Sequence, residues 1–146
     1  MSTRSRIAIK NNDGTIKSIY CHFDGYLSGV GLTLLENYKD ENKIKELIAL
    51  EDISSLSENI NPPEGITHTF NDPCDGVVIA YHRDRGWDFH DRTCVDENDL
   101  MNRFADSGEE FLYLFKDGKW FVAWNYGDDK HEFFELTKEL IDKVDD

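Results

Sequence analysis

Positive charge is what this chain has least of. Its 146 residues carry 16 Lys+Arg against 30 Asp+Glu, a formal net charge of −14. So acidic a surface repels phosphates, and direct binding of DNA or RNA is not expected. Cysteine is scarce too. Cys21, Cys74 and Cys94 are odd in number and widely spaced, and no C-x-x-C occurs. That fits neither a disulfide scaffold nor a structural zinc site, and suits reduced thiols in a cytoplasm. No apolar run approaches the ~20 residues needed to span a bilayer, so no membrane partner is expected. The opening MSTRSR lacks the apolar stretch of a signal peptide. No H-x-x-x-H or H-E-x-x-H spacing marks a metal site, and Gly29 and Gly31 do not form a dinucleotide or P-loop fingerprint. No cofactor is expected.

What is present suits one domain over 1–146. Hydrophobic residues make up 39% and aromatics 12%, enough to offset the entropy of ordering the chain. RIAIKNNDGTIKSIYCHF reads as a β-hairpin turning at Asp13-Gly14. On its second strand Ile19, Cys21 and Phe23 share one face, and Tyr20, His22 and Asp24 the other. Cys21 thus belongs with apolar neighbours, as a small core residue. The spacing of Val30, Leu34 and Tyr38 predicts a helix through SGVGLTLLENY, with Ser28 as N-cap. Gly29 and Gly31 near its start suit either close backbone packing or an anion at the helix end.

Asp40 caps a second predicted helix, with Ile44, Leu47 and Ile48 on its apolar face. EDISSLSENINPPEG reads as a loop. ITHTF (66–70) and VVIAYH (77–82) read as paired strands about NDPCDG. Leu100, Met101 and Phe104 suggest a short helix. FLYLFKDGKWFVAWNY is an aromatic-rich hairpin about Asp117-Gly118. HEFFELTKELIDKV reads as an amphipathic helix with Phe133, Leu136, Leu140 and Val144 on one stripe. The two hairpins, each with a helix after it, raise the idea of a duplicated ββα unit, although their residues match poorly. Hairpins dominate and no βαβ crossover is required. The expected fold is therefore α+β: a single antiparallel sheet built from hairpins, with helices packed mainly on one face.

Two polar clusters stand out. Tyr20, His22, Asp24 and Tyr26 end one strand; His82, Arg83, Asp84 and Arg85 end another. If those strands are neighbours, the clusters meet on one rim. His22 or His82 would then be a general base, Asp24 or Asp84 would orient it, and Arg83 or Arg85 would hold an anion. Alternatively, His22 and Asp24 bond locally at their turn and the Arg–Asp pairs only brace the rim. Cys21 lies on the face opposite His22, so a Cys–His dyad is awkward. His22 with Asp24, or His90 with Asp91, supplies too little for a metal. His68 and His131 read as isolated, ordinary surface or half-buried residues. Trp87, in a polar loop, is a candidate anchor for a partner. The acidic segment from Asp128 to Asp146 reads as a solvated face or as a stripe imitating phosphates.

Taken together, TRSRIAI, DGTIKSIYCHFDGYLSGVGLTLLENY, ELIALEDISSL and AYHRDRG resemble a group of small uncharacterised proteins encoded by bacteriophages and prophages. Those proteins share R-S-x-I, D-G, Y-C-H-x-D-G-Y and V-G-x-x-L, and a later Y-H-R-D-R-G stretch. The resemblance spans residues 3–56 and 79–86. It implies a phage accessory protein acting in the host cytoplasm, and it brings neither a fold nor an activity. Small phage proteins outside the virion often bind and redirect a host protein. The expected function is therefore binding and modulation of a host protein, basic or nucleic-acid-binding, through the acidic surface. The alternatives are a small hydrolase or transferase using the His/Asp/Arg rim, and a self-associating structural component of the virion.

Overall fold

The computed structural model describes residues 3–88 and 92–144. The fold is α+β. Strands β1 (Ser5–Lys10) and β2 (Ile16–Cys21) form the first hairpin. Its turn closes through Gly14 N–H to the Asn11 carbonyl at 3.0 Å, and only Gly14 there has positive φ, at 90°. A π-helical turn, Leu27–Gly31, then leads into α1 (Leu32–Asn37), followed by α2 (Glu41–Ala49). After these come β3 (Ile53–Ser55), β4 (Ile79–Ala80), α3 (Tyr81–Arg85), β5 (Thr93–Cys94) and α4 (Glu97–Ser107). The chain continues with β6 (Phe111–Lys116), β7 (Lys119–Trp124), β8 (Phe134–Glu135) and α5 (Lys138–Val144).

The described strands form one sheet in the order β4-β3-β2-β1-β6-β7-β8, with β5 also against β2. The sheet is mixed, which corrects the purely antiparallel expectation. β1 runs parallel to β6, Ile7 opposite Tyr113, and β2 parallel to β3, Cys21 opposite Ile53. A parallel neighbour needs a crossover, and α1 and α2 supply it between β2 and β3. The two hairpins thus join through their first strands, at the centre of the sheet. Strands β1 and β6 are buried at every residue but the last because both of their faces are covered.

Alternation divides the core. Ile7, Ile9, Ile19, Cys21, Tyr113 and Val122 pack with Leu34, Ile44, Leu47 and Ile141 on the main helical face. Ala8, Ile16, Leu112, Leu114 and Ala123 face the other way, under Leu100 and Phe104 of α4. Most helices thus lie on one face and α4 covers part of the other.

Local chemistry explains several departures from expectation. The first helix has no Ser28 cap. Its entry is a π turn after Tyr26, because Gly29 packs where a Cβ would overlap the Asp24 carbonyl, and Gly31 lies against the Tyr113 ring. The glycines serve close packing. Asp40 does cap α2, accepting from Asn42 N–H. The 77–82 strand stops at Ala80 and Tyr81 starts a helix, which Gly86 ends in a left-handed conformation, φ 78°. The 66–70 segment is not a strand, and β4 pairs with β3, itself read from sequence as loop. At the C-terminus Phe134 lies in β8 and Phe133 just before it, one packing on each core cluster, and α5 begins only after Thr137.

Candidate functional site

The site is framed by a split in the outer edge of β2. β5 pairs with Ile16 and Lys17, and β3 with Cys21. Between them the edge has no strand beside it. Ser18 N–H donates to the Arg92 carbonyl at 3.2 Å, and Tyr20 N–H donates to the Asp52 carboxylate at 2.9 Å. Asp52 thus replaces a strand carbonyl, and Arg92 grips it with Nε at 3.2 Å and Nη2 at 2.9 Å.

A cleft of about 150 Å³ opens at this gap. Tyr20, Tyr81, His82 and Trp87 line it, with the carboxylates of Glu51, Asp52 and Asp88. The Trp87 ring stacks on Tyr81 at 4.7 Å, with 10° between planes, and remains 48% exposed. The Arg85 guanidinium lies over Phe70 and Trp87 at 4.7 and 4.8 Å. His82 Nδ1 donates to the Trp87 carbonyl, which holds the loop that carries the ring. Burial raises the Tyr20 hydroxyl to about 12, against the pull of Arg4. Burial also raises the Tyr81 hydroxyl, although a hydrogen bond with Ser54 works the other way. Both phenols are neutral at ordinary pH and serve as walls and donors.

The two predicted clusters meet only in part. β2 and β4 flank β3 at the same end, with Cys21 opposite Ile53 and Ile53 opposite Ala80. That brings Tyr20 to Tyr81, His82 and Trp87. His22 joins at one remove, its Nδ1 sharing a 2.7 Å hydrogen bond with the Tyr20 hydroxyl. Asp24 and Tyr26 stay at their turn: the Asp24 carbonyl accepts from Val30 N–H and its carboxylate from the Tyr26 hydroxyl at 3.3 Å. Asp24, with φ 59°, has a turn-forming part and does not orient His22.

Arg83 and Asp84 turn away from the cleft. Arg83 donates to the carbonyls of Ile60 and Val78, both at 2.7 Å, and to Asp84. The Asp84 carboxylate, 3% exposed, also accepts from Ala80 N–H at 2.8 Å. Burial pushes its carboxyl upward, and the Arg83 and Ala80 hydrogen bonds, the Arg83 charge and His68 together hold it below its ordinary value. His68 is half-buried, as one of its expected placements had it, but it is not isolated: its side chain is 3% exposed and fully engaged. Its Nδ1 accepts from Cys74 N–H at 3.0 Å, so Nε2 carries the proton toward Val78 and Asp84. This network ties the 60–78 loop to α3.

Cys21 is fully buried, and desolvation raises its thiol to about 12, so it is no nucleophile. Among the described residues no group of three His, Cys, Asp or Glu side chains is placed to hold a metal ion. His90 and Asp91 lie outside the described residues, as do Asp145 and Asp146 of the acidic segment. No described helix is long and apolar enough to cross a membrane.

Sequence reasoning missed Glu51, Asp52 and Tyr81 as cleft residues. One signal was available: Leu50-Glu51-Asp52 ends α2 without the glycine usual after a helix. Glu51 adopts the left-handed conformation itself, at φ 64°. Beyond the Arg92–Asp52 pair, a second cleft of about 180 Å³ lies beneath α4, lined by Arg6, Ser18, Arg92 and Arg103 over Cys94 and Leu100. Each of its guanidiniums is matched by a carboxylate: Arg6 by Glu109, Arg92 by Asp52 and Arg103 by Asp99.

Compared with known proteins, the chain matches no protein-family model, no curated protein and no solved structure.

Proposed function

We propose that the protein is a phage accessory protein that acts by binding. It docks a basic host protein, such as a nucleic-acid-binding one, in the host cytoplasm, and modulates it through an acidic surface that stands in for phosphates. The observation that carries this reading is how the polar groups around α3 are used. The candidate catalytic groups are consumed in internal bonds: Arg83 and Asp84 with the 60–78 loop, His82 with Trp87, and His22 with Tyr20. Trp87 instead stands half out of the surface beside three carboxylates. A rigid, exposed tryptophan at a charged rim is the composition of a binding hot spot. The net charge of −14 selects partners of opposite sign and speeds their encounter.

The alternative, a small hydrolase or transferase, draws less support. It needs a base, an orienting carboxylate and an anion-binding arginine in one place, and Arg83 and Asp84 lie on the other side of α3 from the cleft. The test of the binding reading is site-specific photo-cross-linking in bacterial cells. A photoreactive amino acid at position 87 is expected to capture a basic protein, and the same probe at Lys119, on β7, is not. Capture of acidic proteins, or equal capture from both positions, would sink the proposal.

A further inference from the structure

We infer that the cleft at the split edge of β2 is a receptor for one arginine side chain of the partner; this rests on the binding reading above and assigns its recognition chemistry. Three independent features point to a guanidinium. The first is an unsatisfied acceptor. Glu51 is 9% exposed and lines the cleft, and one of its carboxylate oxygens pairs with Lys17 at 2.9 Å. Its other oxygen, Oε2, is buried without a hydrogen-bond partner. An acceptor in that state favours an incoming charged donor.

The second feature is the walls. Tyr20, Tyr81 and Trp87 present ring surface around a space of about 150 Å³, too narrow for a folded element and suited to a single side chain. Aromatic faces attract cations, and a planar guanidinium stacks on them while its edge still donates. The protein supplies its own precedent: the Arg85 guanidinium already lies over Phe70 and Trp87.

The third feature is the charge inside the cleft. Lys17 and Arg92 each answer one of its carboxylates, Glu51 and Asp52. Asp88, exposed at the mouth, has no ion pair among the described residues. The lining itself thus carries three carboxylates and neither lysine nor arginine, and the nearest further cation, Arg85, lies over the Trp87 ring without an ion pair to Asp88 among the described residues. Arginine is favoured over lysine because a planar guanidinium can stack on a ring and still offer several donors at its edge, whereas an ammonium makes a point contact.

The test uses the full chain, labelled with ¹⁵N, and two probes of nearly equal shape: N-acetyl-arginine amide and its uncharged analogue N-acetyl-citrulline amide. The arginine probe is expected to shift the Trp87 indole N–H and the backbone amides of residues 81–88 saturably, and the citrulline probe is not. Glu51→Gln is expected to weaken the arginine probe at least fivefold. Asp106→Asn, which removes one negative charge from the end of α4, is expected to leave it unchanged. Trp87→Ala, read from the backbone amides, gives a second route to the same loss should Glu51→Gln disturb folding. Equal responses to the two probes, or an arginine response indifferent to both Glu51→Gln and Trp87→Ala, overturns the assignment. Cross-linking from position 87 is read separately. A basic partner captured there without any arginine response overturns the receptor assignment alone and leaves the binding reading standing.

Discussion

The two sides of helix α3 are built from one stretch of sequence, YHRDR, and do opposite things. Arg83 and Asp84 face the 60–78 loop, where almost every donor meets an acceptor. Tyr81 and His82, with Trp87 just beyond the helix, face a cleft whose carboxylate wall keeps an unmatched oxygen. Both sides are dense in groups that a sequence reader takes for chemistry. What separates them is saturation. A closed set of hydrogen bonds holds structure together, while a buried acceptor without a partner, in a cleft beside an exposed aromatic ring, has bonding capacity left.

Removing Asp84 should have the largest effect. Asp84→Ala leaves the Ala80 N–H without its acceptor and the Arg83 charge without its carboxylate, with the Ile60 and Val78 carbonyls remaining to Arg83 and the Val78 carbonyl to His68 Nε2. Asp84 is buried but Arg83 is a quarter exposed, so the loss should fall between that of an exposed pair and that of a buried one, about 2–3 kcal/mol. Urea unfolding followed by circular dichroism should show it as a lower midpoint. A loss under about 1 kcal/mol, the scale of an exposed pair, would mean that the inner side of α3 is not a closed brace.

Acid should erode the same brace. The folded Asp84 carboxyl titrates below its ordinary 3.8, so its stabilisation is complete above that value and is lost as pH falls through the lower, folded one. Stability compared between the native chain and Asp84→Asn should therefore differ most near neutral pH and converge below about pH 4. A gap that stays constant down to pH 2 would deny Asp84 its charge-dependent part in the brace.

How much of this was legible beforehand follows the range of the interactions. The two hairpins, the Asp40 cap, a helix near Leu100 and the burial of Cys21 are all local matters, written in turn residues and alternation. The parallel pairing of β1 with β6 joins residues such as Ile7 and Tyr113, more than a hundred positions apart, and no local pattern encodes it. Helix α3 is too short for a hydrophobic period to develop, so VVIAYH reads as one strand although it changes to helix at Tyr81. The FF pair misleads differently. Helical spacing through Phe133 and Leu136 is a coincidence, and tertiary packing sends the two rings to opposite faces of the sheet. For the site, Tyr20, His82 and Trp87 were visible as chemistry. Glu51 was not, because its meaning comes from an edge split between two short strands that only the folded chain brings together.

Loss of the Trp87 ring should cost the fold least. Trp87→Ala removes a ring that is 48% exposed and stacked on Tyr81, a contact of a kind worth about 1 kcal/mol. The variant should fold with nearly native stability and lose its response to the arginine probe. The shape of the loop should persist in part, because the bond from His82 Nδ1 to the residue-87 carbonyl uses backbone and does not need the ring. Amide hydrogen exchange can check this: protection in 79–85 should survive, with any loss confined to residues 86–88. If Trp87→Ala instead lowers stability as far as Asp84→Ala does, the outer side of α3 is a brace like the inner one, and the exposed ring holds the fold together instead of waiting for a partner.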